Sequence, residues 1–146
     1  MAYFRTDTRR ELTVTQQEDR PRIAKLFDAI DGERVDFSQR DLLADGNEKT
    51  AILEYLDKAE MLLRTTARAS DHLDPTKGKA VPMSFRSDGQ WVWSEGVGYY
   101  LKNHGVAPEK AFLDYLRGRD YSYTSPNKEQ LDNALTALQE KRRSRP

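Results

Sequence analysis

Apolar residues recur along the chain with two different periods. Ile23, Leu26, Phe27 and Ile30 stand at i, i+3, i+4 and i+7, which predicts a helix over residues 21–31. Asp19 can accept hydrogen bonds from its first free amides, Pro21 suits its first turn, and Asp31-Gly32 supplies a stop. Ser38 begins a short helical turn carrying Leu42 and Leu43, stopped by Asp45-Gly46. Asn47 is placed to cap a further helix with Ile52, Leu53, Tyr55 and Leu56 inward, ending near Lys58. The period then changes to two. Met61, Leu63 and Thr65 alternate with Leu62, Arg64 and Thr66, which favours a strand over continuation of the helix to Arg68. Leu12 and Val14 alternate with polar neighbours as a short edge strand or a frayed arm would.

Residues 69–80 read as a polar loop, and a β-hairpin follows. Val81, Met83 and Phe85 alternate up to Ser87-Asp88-Gly89, and Trp91 and Trp93 alternate after it. A three-residue loop with Gly89 left-handed pairs Phe85 with Trp91 and Met83 with Trp93, gathering five apolar side chains on one face. Three helices close the chain. Ser94 caps the first, with Val97, Tyr100, Leu101 and His104 as its stripe, Gly105 as its stop and Val106 packing back. Pro108 opens the second, with Phe112, Leu113 and Leu116 inward and Gly118 as the stop. Ser125-Pro126 opens the third, with Leu131, Ala134, Leu135 and Leu138 inward. The expected fold is α+β: a small antiparallel sheet with a central hairpin, packed by short helices.

Length and composition narrow this picture. The 146 residues make one domain, with 1–18 and 140–146 expected to fray. No cysteine is present, which excludes disulfides and thiolate metal sites. Lys and Arg balance Asp and Glu at 24 each, so direct nucleic-acid binding is not expected. No apolar run approaches the ~20 residues of a membrane span, and the N-terminus lacks the apolar core of a signal peptide, so a cytoplasmic location is expected.

Candidate chemistry is sparse. There is no Gly-rich phosphate loop, no Gly-x-Ser-x-Gly elbow and no His-Glu-x-x-His pair. Asp71-His72-Leu73-Asp74 could offer metal ligands, but loop solvation explains the same residues. His104 suits the negative end of a helix dipole, and Asp88 suits a turn. No catalytic residue, cofactor or metal is therefore expected. The aromatic residues Phe85, Trp91, Trp93, Tyr99 and Tyr100 read as core, with a ligand pocket as the rival. Tyr99 falls beside the apolar stripe and is expected to be exposed. Charge is unevenly spread: residues 28–60 hold ten acids against four bases. Asp31, Glu33, Asp36, Asp41 and Asp45 fall at element ends and connections, where they are expected to be exposed and available to a partner.

Within 61–116, Leu63-Arg64-Thr65-Thr66, Val81 through Gly89, Trp91-Val92-Trp93, Tyr99-Tyr100-Leu101 and His104-Gly105-Val106-Ala107-Pro108 form a distinctive pattern. It resembles small actinobacterial proteins of mostly unassigned function, some of which resemble immunity proteins of secreted or contact-delivered toxins. The resemblance implies a non-enzymatic antitoxin that occludes the active site of a cognate protein toxin. It supplies no catalytic residue, and residues 1–60 lie outside it. The combined expectation is a toxin inhibitor whose partner-binding residues are Asp31, Glu33, Asp36, Asp41, Asp45 and Tyr99, facing a basic cleft. The alternative is a regulatory domain that binds a small ligand or nucleotide in an aromatic hairpin pocket.

Overall fold

The turn at Asp88-Gly89 sets the centre of the molecule. In the computed structural model, which describes residues 20–143 except 33, Gly89 adopts φ +93°, the left-handed region expected of it. The strands it joins, β7 (Phe85–Ser87) and β8 (Trp91–Ser94), pair Phe85 with Ser94, Arg86 with Trp93 and Ser87 with Val92. This differs from the expected register and places both tryptophans on the Arg86 side. The reason is that burial does not choose one face here, because both are covered. All four residues of β8 are buried. Trp91 and Trp93 pack with Ile52, Tyr55, Leu56, Val97, Leu101, Phe112, Leu113 and Leu116. Val92, on the other face, packs with Ala134, Leu138, Ile23, Leu63 and Phe85. Met83 joins neither layer and is 43% exposed.

β8 is completed on its other side by β1 (Arg22–Ile23), which runs parallel to it, and β7 by β4 (Glu60–Leu63), giving a four-stranded sheet in the order β1-β8-β7-β4. The helix predicted over 21–31 is therefore absent. Arg22 and Ala24 donate their amides to Gln90 and Val92 carbonyls at 2.9 and 2.8 Å, and the Arg22 guanidinium lies 4.5 Å from the Trp91 ring centroid. Strand pairing with a distant segment overrides the local helical period. Gly32 is left-handed (φ +60°), but it turns a hairpin of β2 (Ala29–Asp31) and β3 (Arg34–Asp36) instead of ending a helix. Ile30 is 62% exposed. The segment from Ser38 forms a turn without helix; Leu42 bridges Val106 and is 77% exposed.

The remaining elements follow the pattern more closely. Helix α1 (Asn47–Lys58) buries Ile52, Tyr55 and Leu56; Gly46 stands at its cap position and Asn47 inside it. The strand after it stops at Leu63, and the 69–80 loop holds the end of β5 (Arg68–Ala69) and a 3-10 turn (Pro75–Lys77). β5 pairs with β6 (Val81–Pro82). Ser94 Oγ accepts from the Gly96 amide and starts α2 (Glu95–His104), which Gly105 ends at φ +70°. α3 (Lys110–Gly118) begins two residues after Pro108 and runs through Gly118; the left-handed residues beyond it are Asp120 and Tyr121. α4 (Lys128–Arg143) covers Val92, with Arg20 and Glu140 3.0 Å apart; of the end expected to fray, residues 140–143 are helical and residues 144–146 lie outside the described residues. Helices segregated around a small mixed sheet make this an α+β fold. The expected strand at Leu12 and Val14 lies outside the described residues, as does fraying over 1–18.

Candidate binding surface

Residues 28–46 run along the outside of the molecule, held to it by Arg40 and by backbone bonds at Asp41 and Leu43. Arg40, 9% exposed, donates from Nε to Asp28 Oδ1 at 2.7 Å, and from its two terminal nitrogens to the carbonyls of Lys25 (2.8 Å) and Ala107 (3.4 Å). Its guanidinium lies over the Phe37 ring. A planar fork with fixed donor directions suits this task in a way a lysine ammonium does not. Asp28 also accepts from the Gln39 amide at 2.7 Å, so one carboxylate closes the base of the β2–β3 hairpin. Leu43 donates its amide to the Gly105 carbonyl at 2.7 Å and fastens the segment to the end of α2.

The predicted partner residues fall on this segment at separate places. Asp31 is exposed and stands opposite Arg34 in the hairpin. Asp36 is exposed and accepts from the Ser38 amide at 2.7 Å; hydrogen bonding from Ser38 lowers its pKa. Asp41 is exposed, 4.0 Å from Arg117. Asp45, with its side chain 96% exposed, pairs with Lys49 at 2.8 Å, which lowers its pKa. Glu33 lies outside the described residues. Close by, Arg117 grips Glu48 with two bonds of 2.9 Å, and Tyr121 donates to the same carboxylate. The Arg117 and Tyr121 bonds hold Glu48 at about 2.

Tyr99 differs from its expectation. It is half-buried, and its hydroxyl donates to Asp71 Oδ2 at 2.7 Å. Asp71 is 1% exposed. His104 Nε2 lies 2.7 Å from the same oxygen; a carboxylate only accepts, so the imidazole donates from Nε2. The amides of Leu73 and Asp74 donate to Oδ1 at 2.8 and 2.9 Å. Burial raises the Asp71 pKa, but the bonds from His104, Tyr99 and the two amides outweigh it and leave the group at about 2. The bond to Asp71 in turn pushes Tyr99 up to about 12. Tyr100 adds a further tie by accepting from the His72 amide at 3.1 Å. The cluster fastens the 70–78 loop to α2, and its carboxylate is saturated.

Asp88 is a second saturated carboxylate. Its Oδ1 accepts from the Gln90 and Trp91 amides, as a turn aspartate should, at 2.9 and 2.8 Å. Its Oδ2 accepts from Tyr55 (2.5 Å) and Tyr115 (2.7 Å), joining α1 and α3 beneath the turn. Burial and the neighbouring Asp88 raise both phenols. Trp91 stacks on Phe112 with ring centroids 4.9 Å apart, and Trp93 lies 5.1 Å from the same ring. The hairpin aromatics are packed core. Phe85 and Tyr99 are half-buried, while Trp91, Trp93 and Tyr100 are buried.

The sequence reading missed Arg40 and the union of Asp71 with His104. Neither has a local signal, since the Arg40 acceptors are spread from Lys25 to Ala107 and the other pair is 33 residues apart. Asp71 alone had one: an aspartate three residues before Asp74-Pro75 suits a side-chain-capped turn. Among the described residues no group of three His, Cys, Asp or Glu could hold a metal ion, and no helix is long and apolar enough to cross a membrane. Comparison of the chain with protein-family models, with curated proteins and with solved structures finds no match.

Proposed function

We propose that this is a non-catalytic binding protein that recognises a basic protein partner through the acidic segment 28–46. In the form the sequence resemblance implies, it is a cytoplasmic immunity protein that occludes the active site of a toxin. The observation that carries the reading is the pairing of exposed acids with a rigid base. Asp31, Asp36, Asp41 and Asp45 face solvent on a segment that buried Arg40 holds to the core. Fixing a surface before encounter lowers the ordering cost of binding. Negative charge on it speeds approach to a positive cleft, which an enzyme acting on nucleic acid or an anionic nucleotide must have. Occlusion needs complementary shape and charge and no chemistry. The carboxylates that are buried, Asp71 and Asp88, are already occupied by tyrosine, histidine and backbone donors.

The test is calorimetric titration of the purified protein against proteins encoded by neighbouring genes, with a parallel assay of toxicity on co-expression. A one-to-one complex with a basic toxin and loss of toxicity is the expected result. Intrinsic hydrolase or transferase turnover by the purified protein, lost in His104→Ala, contradicts the proposal.

A further inference from the structure

Four large apolar side chains are conspicuously exposed among the described residues: Ile30, Leu42, Leu73 and Met83. Two of them lie in the acid-rich segment 28–46. Ile30 stands opposite Val35 across the β2–β3 hairpin, forming one apolar rung, and neither Ile30 nor Leu42 belongs to any of the apolar clusters of the core. Their places are linked. Ile30 follows Asp28 by two residues and Leu42 follows Arg40 by two, and Asp28 and Arg40 are bonded at 2.7 Å. Two residues of chain span at most about 7 Å, so the bonded Asp28–Arg40 pair keeps positions 30 and 42 within reach of one standard interface footprint of about 800 Å².

Resting on the binding reading above, we propose that Ile30, with its hairpin partner Val35, and Leu42 are the apolar anchors of this surface. The occupant is a folded protein that presents an apolar recess ringed by Lys and Arg. Charge argues for that occupant. Exposed Asp31, Asp36, Asp41 and Asp45 flank the anchors in the chain; Arg34 is the exposed base within the segment, Lys49 pairs with Asp45, Arg117 lies 4.0 Å from Asp41, and Arg40 is buried and spent on Asp28. The segment itself stays net acidic, which disfavours an anionic membrane or a nucleic acid as its occupant. An apolar centre within a charged rim is the ordinary anatomy of a protein–protein interface, and the anchors at its centre carry most of its energy. Acids at the rim then govern association rate, and the anchors govern residence.

The experiment places a photo-crosslinking amino acid singly at Ile30, at Leu42 and, as an exposed apolar control outside residues 28–46, at Met83, in the full chain expressed in its own host. The expected result is one basic protein captured from positions 30 and 42 and not from 83. Capture should fall at least tenfold when Asp41→Lys and Asp45→Lys are added. The captured protein, purified, should lose at least tenfold in affinity for Ile30→Asp, whose fold is checked by circular dichroism. Capture of a second copy of this chain, or of an acidic or neutral protein, overturns the proposal. Capture of a basic protein from Met83 alone overturns the surface and leaves the binding reading standing. No capture from any position overturns both.

Discussion

Gly89 is the residue on which the central hairpin turns, and two facts oppose a side chain there. Its φ of +93° is strained for any other residue, and a Cβ would stand 2.8 Å from Pro126 Cβ. Gly89→Ala should destabilise the protein by about 1 kcal/mol or more, measured by urea denaturation. Unchanged stability would contradict the turn geometry. Asp71 makes a different residue-scale prediction. Its folded pKa is depressed to about 2 from an ordinary 3.8, so the ionised form contributes stability above pH 4. That contribution is lost as pH falls from about 4 through 2. Asp71→Ala leaves Tyr99, His104 and two amides without their acceptor and should cost about 2 kcal/mol or more at pH 7. The gap between variant and wild type should narrow as denaturation is repeated at pH 4, 3 and 2. A gap independent of pH would show that the ionised carboxylate is not what holds the 70–78 loop.

Elements whose determinants lie within themselves are legible from the sequence. α2 is the clearest: Ser94 starts it, Gly105 stops it, and Val97, Tyr100 and Leu101 are its buried stripe. The inward faces of α1, α3 and α4 are legible for the same reason. β1 is not, because Arg22 and Ile23 are strand only as partners of Trp91 and Val92, far along the chain. The hairpin register fails for a related reason. The alternation argument assumes one buried face, whereas α4 buries Val92 on the second. Leu138→Ala should therefore cost about 3 kcal/mol in urea denaturation. A loss below 1 kcal/mol would mean that α4 does not seal the sheet. Of the candidate surface, the acids are legible and their scaffold is not. Arg40 collects acceptors from two separate stretches of chain, Lys25 and Asp28 in one and Ala107 in the other. Arg40→Ala should speed amide exchange across 28–43 while leaving the amides of α2 protected, and Arg40→Lys should restore little of the protection. Equal acceleration everywhere would make Arg40 a general core residue and not the anchor of this segment.

At the scale of the whole molecule, a net charge of zero conceals a division. Residues 28–60 carry six more acids than bases, and the remainder carries the balancing excess of bases. Such a molecule meets a basic partner in a preferred orientation, with the 28–46 side leading. Buried Asp71 and Asp88 hold the scaffold, and the proposed function assigns partner contact to the solvent-facing acids of 28–46. The most direct test of that claim is the association rate constant with a cognate basic partner, by stopped flow, at low and at high salt. Wild type should be compared with the variant carrying Asp31→Lys, Asp36→Lys, Asp41→Lys and Asp45→Lys. The surface assignment predicts association at least tenfold slower for the variant at low salt, with the difference shrinking as salt screens the charges. Rates that are equal for the two proteins at both salt concentrations would contradict it.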